Sequence, residues 1–187
     1  MLSPAELGGY LDAHARRTLF RLETLGSYEV PAEGSDFARY LAGEVAPTPE
    51  RRQRWLSRLA DEVARGLRRR RVHAVHLPLS DYLRFECEWS YALNPYEDIR
   101  ILELDNRADL VEHLIEAAGG DFFLADDAHL IRLRYTADNQ PLGAEADSSP
   151  EQVAVYRDIA ARLWSAAVPF ARWWAAHPQF HRGHRAA

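Results

Sequence analysis

The chain of 187 residues contains no lysine, only one cysteine (Cys87), and no long uncharged apolar run. The absence of lysine excludes a Schiff-base lysine and the lysine of a Walker nucleotide-binding loop. A single cysteine excludes an internal disulfide and any zinc site built from several thiolates. No run approaches the roughly 18 apolar residues of a membrane span, and residues 1–17 lack the basic start and apolar centre of a secretory signal. We therefore expect a cytoplasmic protein.

Every one of the 23 basic residues is arginine, yet the net charge is -5. This charge argues against a surface devoted to nucleic acid, although a local basic patch remains open. The run Arg68, Arg69, Arg70 and Arg71 is the candidate site for nucleic acid or phosphate. Its alternative reading is a solvated helix end whose cations complement the helix dipole. Because no helix-turn-helix or stacking motif accompanies the run, we do not expect direct DNA binding.

The clearest boundary in the sequence is Pro47-Thr48-Pro49, where Thr48 can cap a helix and Pro49 can occupy its first position. We expect residues 1–46 to form an N-terminal arm packed on the body, with a short strand over Thr18–Leu25. Residues 47–187 are expected to form one α/β (α+β) domain. The apolar spacing after Glu50 predicts a helix that Gly66 ends.

A strand-helix-strand unit follows. The apolar run VHAVHL (Val72–Leu77) predicts a central strand, Ser80 can cap a helix that reaches about Trp89, and Ile99–Leu104 predicts the next strand. A helix between two neighbouring strands indicates a crossover with the strands parallel.

In the remainder of the chain, apolar and polar residues first alternate as in strands and then follow a helical spacing. Residues 121–125 and 130–135 predict strands joined by a turn at Asp126-Asp127, and a further short strand follows Pro141. Ser149 and Gln152 predict a capping box at the start of a long C-terminal helix that Pro169 ends or kinks. The resulting expectation is a mixed β-sheet with flanking helices.

The segment Leu79–Arg100 concentrates charge and aromatic area. Its acidic residues Asp81, Glu86, Glu97 and Asp98 could bind a metal or act as acid and base, since neighbouring carboxylates shift each other's pKa. Alternatively, Arg84 and Arg100 pair with these carboxylates and hold a structural junction, which we favour. An intermediate reading is a ligand site at the carboxyl ends of parallel strands. Its predicted residues are Ser80, Asp81, Tyr82, Arg84, Glu86, Tyr96, Asp98 and Arg100.

The histidines give no metal site by spacing. His73 and His76 lie three apart on a predicted strand and therefore point to opposite faces. His177, His181 and His184 have helical spacing, but Pro178 and Gly183 interrupt the helix that would hold them together. We expect no metal ion, no cofactor and no catalytic residue in the chain.

Five stretches carry a family likeness: SDYLRFE (Ser80–Glu86), YEDIR (Tyr96–Arg100), DFFLADD (Asp121–Asp127), PLGAE (Pro141–Glu145) and WSAAVPF (Trp164–Phe170). Together with the opening RLETLGSYEVP, they resemble an uncharacterised actinobacterial family described only as a domain of unknown function. Members of that family are often encoded near helix-turn-helix regulators, which implies a regulatory partner.

The order of elements is more distantly similar to one half of a phospholipase D-like domain, a module that often dimerises and that some sugar-sensing regulators use to bind effectors. In active members of that superfamily a His-x-Lys pair precedes the DFFLADD-like strand, and Asp126 would follow it. Gly119 and Asp121 stand at the histidine and lysine positions here. The resemblance thus implies the phospholipase D-like fold without the reaction that the histidine and lysine carry out.

These observations favour a non-catalytic binding or regulatory module that acts with a helix-turn-helix DNA-binding partner. Sensing of a small molecule is a further role open to such a module. One alternative is a hydrolase-type enzyme that uses Asp81, Glu86, Glu97 and Asp98. Another is a homodimeric interaction module whose dimer face is the C-terminal helix. No membrane partner is expected.

Overall fold

The computed structural model describes residues 1–28, 34–105 and 110–182. Its helices are α1 (Pro4–His14), α2 (Gly34–Leu41), α3 (Pro49–Ala64), α4 (Asp81–Phe85), α5 (Leu110–Ala118), α6 (Pro150–Ala166) and α7 (Phe170–Ala176). Its strands are β1 (Thr18–Glu23), β2 (Arg68–Val75), β3 (Glu97–Glu103), β4 (Phe122–Ala125), β5 (His129–Tyr135), β6 (Pro141–Asp147) and β7 (Val168–Pro169). A π-helical turn (Glu86–Ser90) and a short 3₁₀ turn (Tyr91–Leu93) continue α4.

The strands form one seven-stranded mixed sheet in the order β6-β5-β4-β1-β2-β3-β7. β1, β2 and β3 are parallel, whereas β4, β5, β6 and β7 join antiparallel. The predicted α+β class is confirmed, as is the parallel pairing of the two strands that flank α4. β1 belongs to the predicted arm of residues 1–46, yet it lies in the interior of the sheet between β2 and β4.

Local sequence signals explain where several helices begin and end. Ser3 and Glu6 form a capping box at α1. Pro49 is the first residue of α3, and Gly66 follows its end with φ of +91°, a conformation that glycine adopts without strain. The capping box predicted at α6 is wrong. The Ser149 hydroxyl donates instead to Asp147 Oδ1 at 2.7 Å and gives no side-chain cap to the helix.

Because successive side chains of a strand point to opposite faces, the core is divided between the two faces of the sheet. On one face, α5 and α6 cover an apolar cluster that includes Phe20, Leu22, Val72, Phe122 and Leu163. The opposite face carries two separate apolar clusters. An aromatic cluster lies under α4, its π-turn and α7, and a smaller cluster around Leu19, Phe123 and Ile131 lies under α1. Charged side chains of β1 and β2 alternate with the apolar cluster residues and also face this second side.

Both edges of the sheet carry features that disfavour further pairing. At the β6 edge, Leu2 exchanges backbone hydrogen bonds of 2.7 and 2.8 Å with Ala144. At the other edge, β7 has only two residues, one of which is Pro169. Short edge strands and prolines prevent sheets from pairing between molecules. Within the described ranges, no helix combines the length and apolar character needed to cross a membrane.

Candidate functional site

A buried ionic ladder crosses the centre of the sheet on the face opposite α6. Residues two apart on a strand point to the same side, and the register places Arg21 and Glu23 of β1 beside Arg71 and His73 of β2. Arg21 Nη2 lies 2.7 Å from Glu23 Oε1, and Arg71 Nη1 lies 2.8 Å from Glu23 Oε2. Arg71 reaches on to β3, where its Nη2 lies 3.1 Å from Glu97 Oε2.

The ladder continues from the sheet to the helices at the surface. Arg69 Nη1 lies 2.6 Å from Glu62 Oε2 on α3, and Glu62 also accepts from Arg58 Nε at 3.1 Å. Arg58, in turn, lies 3.0 Å from Asp12 of α1. Opposite charges therefore alternate from the buried end of β1 to the solvent.

Burial and ion pairing act in opposite directions on the acid at the buried end. The Glu23 side chain is 2% exposed, and this burial by itself raises its pKa. The neighbouring Arg21 and Arg71 outweigh burial and lower the Glu23 pKa to about 2. Desolvation lowers the pKa of Arg71, but Glu23 and Glu97 more than compensate and raise it well above its usual value. Glu23 and Arg71 therefore stay ionised at neutral pH.

His73 and Tyr91 extend this network toward α4. His73 Nδ1 lies 2.6 Å from the Tyr91 hydroxyl, and His73 Nε2 lies 3.2 Å from the Leu25 carbonyl oxygen. Burial lowers the pKa of His73, so the imidazole is neutral at neutral pH. Burial, together with Glu23 and Glu86, raises the pKa of Tyr91, which keeps its proton.

Asp121 is a second buried carboxylate, just before β4. It accepts from the Thr24 amide at 2.8 Å, the Thr24 hydroxyl at 2.7 Å, the Tyr28 hydroxyl at 2.7 Å and the Tyr135 hydroxyl at 3.2 Å. Burial, aided by the charges of Glu23 and Asp121, raises the pKa of Tyr28. These donors satisfy the carboxylate, which ties β4 and β5 to the end of β1.

Asp126, the acid after the DFFLADD strand, binds backbone. It accepts from the amides of Arg16, Arg17 and Thr18 at 3.1, 2.7 and 2.9 Å. Partial burial raises its pKa, and these three hydrogen bonds outweigh that effect and lower it. The predicted turn is confirmed, with φ near +54° at both Asp126 and Asp127. The carboxylate thereby fixes the entry to β1.

The first part of the predicted ligand site holds the start of α4 in place. Ser80 Oγ accepts from the Leu83 amide at 3.1 Å and donates to the Gly26 carbonyl at 2.5 Å, so the predicted helix cap is confirmed. Asp81 is exposed, whereas Tyr82 and Glu86 are buried. The Arg84 guanidinium lies 5.6 Å from the centre of the Phe180 ring.

The second part of the predicted site, on β3, is divided between the two sheet faces. Glu97 faces the ionic ladder, whereas Asp98 and Arg100 point to the α6 side. Arg100 donates to the Trp164 carbonyl at 2.9 Å and lies 4.2 Å above the Trp164 ring. The expectation that Arg100 pairs with the carboxylates is therefore not met.

The predicted carboxylate set does not converge on one point. Asp98 is exposed on one side of the sheet, and Glu97 is buried on the other, against Arg69 and Arg71. Only Glu86, of the predicted residues, lies close to the acid and histidine at the end of the ionic ladder.

The four consecutive arginines do not form one basic patch. Because they lie in β2 rather than at a helix end, their side chains alternate between the faces. Arg69 and Arg71 are ion-paired in the ladder, and Arg70 lies 5.4 Å from the Trp164 ring. Arg68 is exposed.

The C-terminal histidines bind backbone carbonyls. His177 Nδ1 lies 2.8 Å from the Trp173 carbonyl, and His181 Nε2 lies 2.9 Å from that of Trp174. Each imidazole also stacks on the tryptophan whose carbonyl it contacts. The third histidine of the predicted triplet, His184, lies outside the described residues.

An open groove of about 540 Å³ lies between α3 and the start of β3. Pro47, Leu56, Ala60 and Tyr96 provide its apolar lining, and Arg52 is among its polar side chains. Tyr96 is thus the one residue of the predicted ligand set that lines this groove.

Sequence reasoning missed Arg21, Glu23 and Asp121 as parts of a buried network. A usable signal was present, since Arg21 and Glu23 alternate with the apolar Phe20 and Leu22 in a predicted strand. Such alternation normally indicates that the charged side chains face solvent. Here α4 and its π-turn pack on this side of the sheet and bury them.

A family model described as a domain of unknown function (DUF6879) matches residues 5–175. No curated protein and no solved structure matches the chain. The likeness to a phospholipase D-like half therefore stays a prediction.

Proposed function

We propose that this chain, which belongs to that family of domains of unknown function, is a non-catalytic binding module that acts with a helix-turn-helix DNA-binding protein. The class of partner comes from the family resemblance. The observation that carries the proposal is the open, mainly apolar groove beside Tyr96.

The distribution of charges supports a binding role over a hydrolase. A pair of catalytic carboxylates must converge on the reacting atoms. Here Glu97 and Asp98 point to opposite sheet faces, and Arg71 holds Glu97 at 3.1 Å. With Arg69 and Arg71 ion-paired, the arginine run also offers little for direct contact with DNA phosphates.

The groove has the features of a surface that receives part of another protein. Leu56 and Tyr96 are half-buried, so each keeps apolar area in contact with solvent. Aromatic anchors at the centre of an interface carry a large share of its binding energy, and a polar rim around them excludes water. The groove also offers the position at which a small-molecule effector would bind, with Tyr96 as the aromatic contact.

The test is affinity purification of the tagged full chain from its native host under gentle lysis, identification of any retained helix-turn-helix protein by mass spectrometry, and titration calorimetry of the purified pair. We expect a stable complex, and we expect Tyr96→Ala and Leu56→Glu each to weaken it by about 2 kcal/mol or more.

The matched control is Val155→Glu, because Val155 is an exposed apolar residue on α6, which covers the face opposite the ionic ladder. This variant should bind like the original chain. Failure of the two proteins to associate under gentle lysis and in calorimetry would exclude this partner. Equal weakening by all three substitutions would exclude the groove as the binding surface.

A further inference from the structure

Glu23, His73 and Glu86 come together from β1, β2 and the π-turn at the buried end of the ionic ladder. One ligand atom from each lies within 4.8 Å of the other two. The exposed fractions of the three residues are 2%, 0% and 4%. π-Turns are rare and occur often at functional sites, and this one begins at Glu86.

The hydrogen bonds around His73 and Glu23 orient both side chains toward the same point. His73 Nε2 donates to the Leu25 carbonyl, so Nδ1 carries the lone pair. Nδ1 accepts from the Tyr91 hydroxyl at 2.6 Å and lies 3.9 Å from Glu23 Oε2. Histidines that bind metals characteristically donate their other ring N–H to a carbonyl or carboxylate, and ligating carboxylates are themselves hydrogen-bonded. Arg21 and Arg71 hold Glu23 in this way.

We propose that Glu23, His73 and Glu86 bind one divalent transition-metal ion, with Zn²⁺ or Mn²⁺ as the class suited to mixed nitrogen and oxygen ligands. The ion would take the place of the Tyr91 hydroxyl at His73 Nδ1, and this hydroxyl, which also lies 3.3 Å from Glu23 Oε2, would then adjoin the ion. Because all three ligands are buried, the ion is structural: it fastens the π-turn to β1 and β2. This inference is independent of the helix-turn-helix partner.

The experiment adds Zn²⁺ to the full chain after treatment with a chelator, and measures binding by calorimetry and native mass spectrometry. We expect one ion per chain and a higher melting temperature, because a ligand that binds only the folded state stabilises it. Since Arg21 and Arg71 also repel a cation, we expect micromolar affinity. Glu86→Gln should weaken binding at least tenfold while circular dichroism stays unchanged.

Glu88→Gln is the matched control, because it removes the same charge from the same π-turn and should keep the ion. Glu88 contacts the Arg182 amide at 2.6 Å, away from the three ligands. A second measurement needs no variant: Mn²⁺ should broaden amide NMR signals around residues 23, 73 and 86. The proposal is overturned if no ion binds, if Glu86→Gln binds normally, or if broadening centres on His177 and His181.

Discussion

At the scale of single residues, Arg71 holds the two sides of the ionic ladder together. Its guanidinium contacts Glu23 on β1 and Glu97 on β3, and it lies 5.4 Å from the centre of the Tyr91 ring. Both carboxylates are almost completely removed from solvent, with side chains 2% exposed. Removal of the guanidinium would therefore leave two carboxylates that have little contact with solvent.

We predict that Arg71→Ala lowers the free energy of unfolding by about 3 to 5 kcal/mol, since it leaves buried charges without their partner. Urea denaturation at pH 7 in the presence of a chelator measures this loss without any contribution from bound metal. The control is Arg162→Ala, which removes an exposed pair with Asp158 on α6. That substitution should cost about 0.5 kcal/mol or less. Similar losses in both variants would show that the ladder adds no more stability than a surface ion pair.

Sequence reasoning at this scale identified charged residues but could not assign their partners. Arg84 and Arg100 were expected to neutralise nearby acids, yet Arg100 binds the backbone and ring of Trp164, which is 64 residues away in the sequence. Glu97 takes its partners from β2 instead. Pairing across a sheet depends on register, and nothing in the local sequence states that Arg71 will reach both Glu23 and Glu97.

At the scale of elements, the edge strand β6 depends on a close backbone approach. Gly143 has φ of +142°, and the Leu2 carbonyl oxygen lies against the position that a Cβ at residue 143 would occupy. Any larger residue would therefore both strain the backbone and displace Leu2. Leu2 in turn satisfies the amide and carbonyl of Ala144 that point out of the sheet.

Gly143→Ala is expected to release Leu2 and to lower stability by about 1 to 3 kcal/mol, because it adds strain and breaks two backbone hydrogen bonds. Hydrogen exchange at the Ala144 amide reports the release directly and should become faster. Gly9→Ala is the control, since a Cβ at this exposed position of α1 meets nothing within 4 Å. It should stabilise the chain by about 0.5 to 1 kcal/mol. Unchanged exchange at Ala144 would contradict the proposed closure of the edge.

Elements with strong local signals were predictable, and elements shaped by packing were not. The Ser80 cap, the hairpin turn at Asp126-Asp127 and the parallel β2 and β3 follow from local chemistry and spacing. The helix predicted from Ser80 to Trp89 instead changes to a π-turn after Phe85. That change brings Glu86, Cys87 and Trp89 into the interior, and no propensity of these residues predicts it.

At the scale of the whole molecule, the order of strands joins the two parts that the Pro47-Thr48-Pro49 boundary separates in sequence. β1 pairs with β2 on one side and β4 on the other, and Leu22 of β1 is fully buried in the core under α6. Glu23 and Arg21 of the same strand form the buried end of the ionic ladder. Removal of β1 would therefore expose two strand edges and leave Arg71 without Glu23.

We predict that a fragment of residues 47–187 does not fold by itself, and that the full chain unfolds in a single cooperative transition. Circular dichroism and calorimetry of both proteins measure this, with agreement between calorimetric and van't Hoff enthalpies as the criterion for one transition. The fragment should lack a thermal transition and should aggregate, because β2 and β4 would each present an unpaired apolar edge. A cooperative transition in the fragment would instead establish residues 1–46 as a docked arm, as the proline boundary suggests. In that case β1 would add to a sheet that is already stable without it.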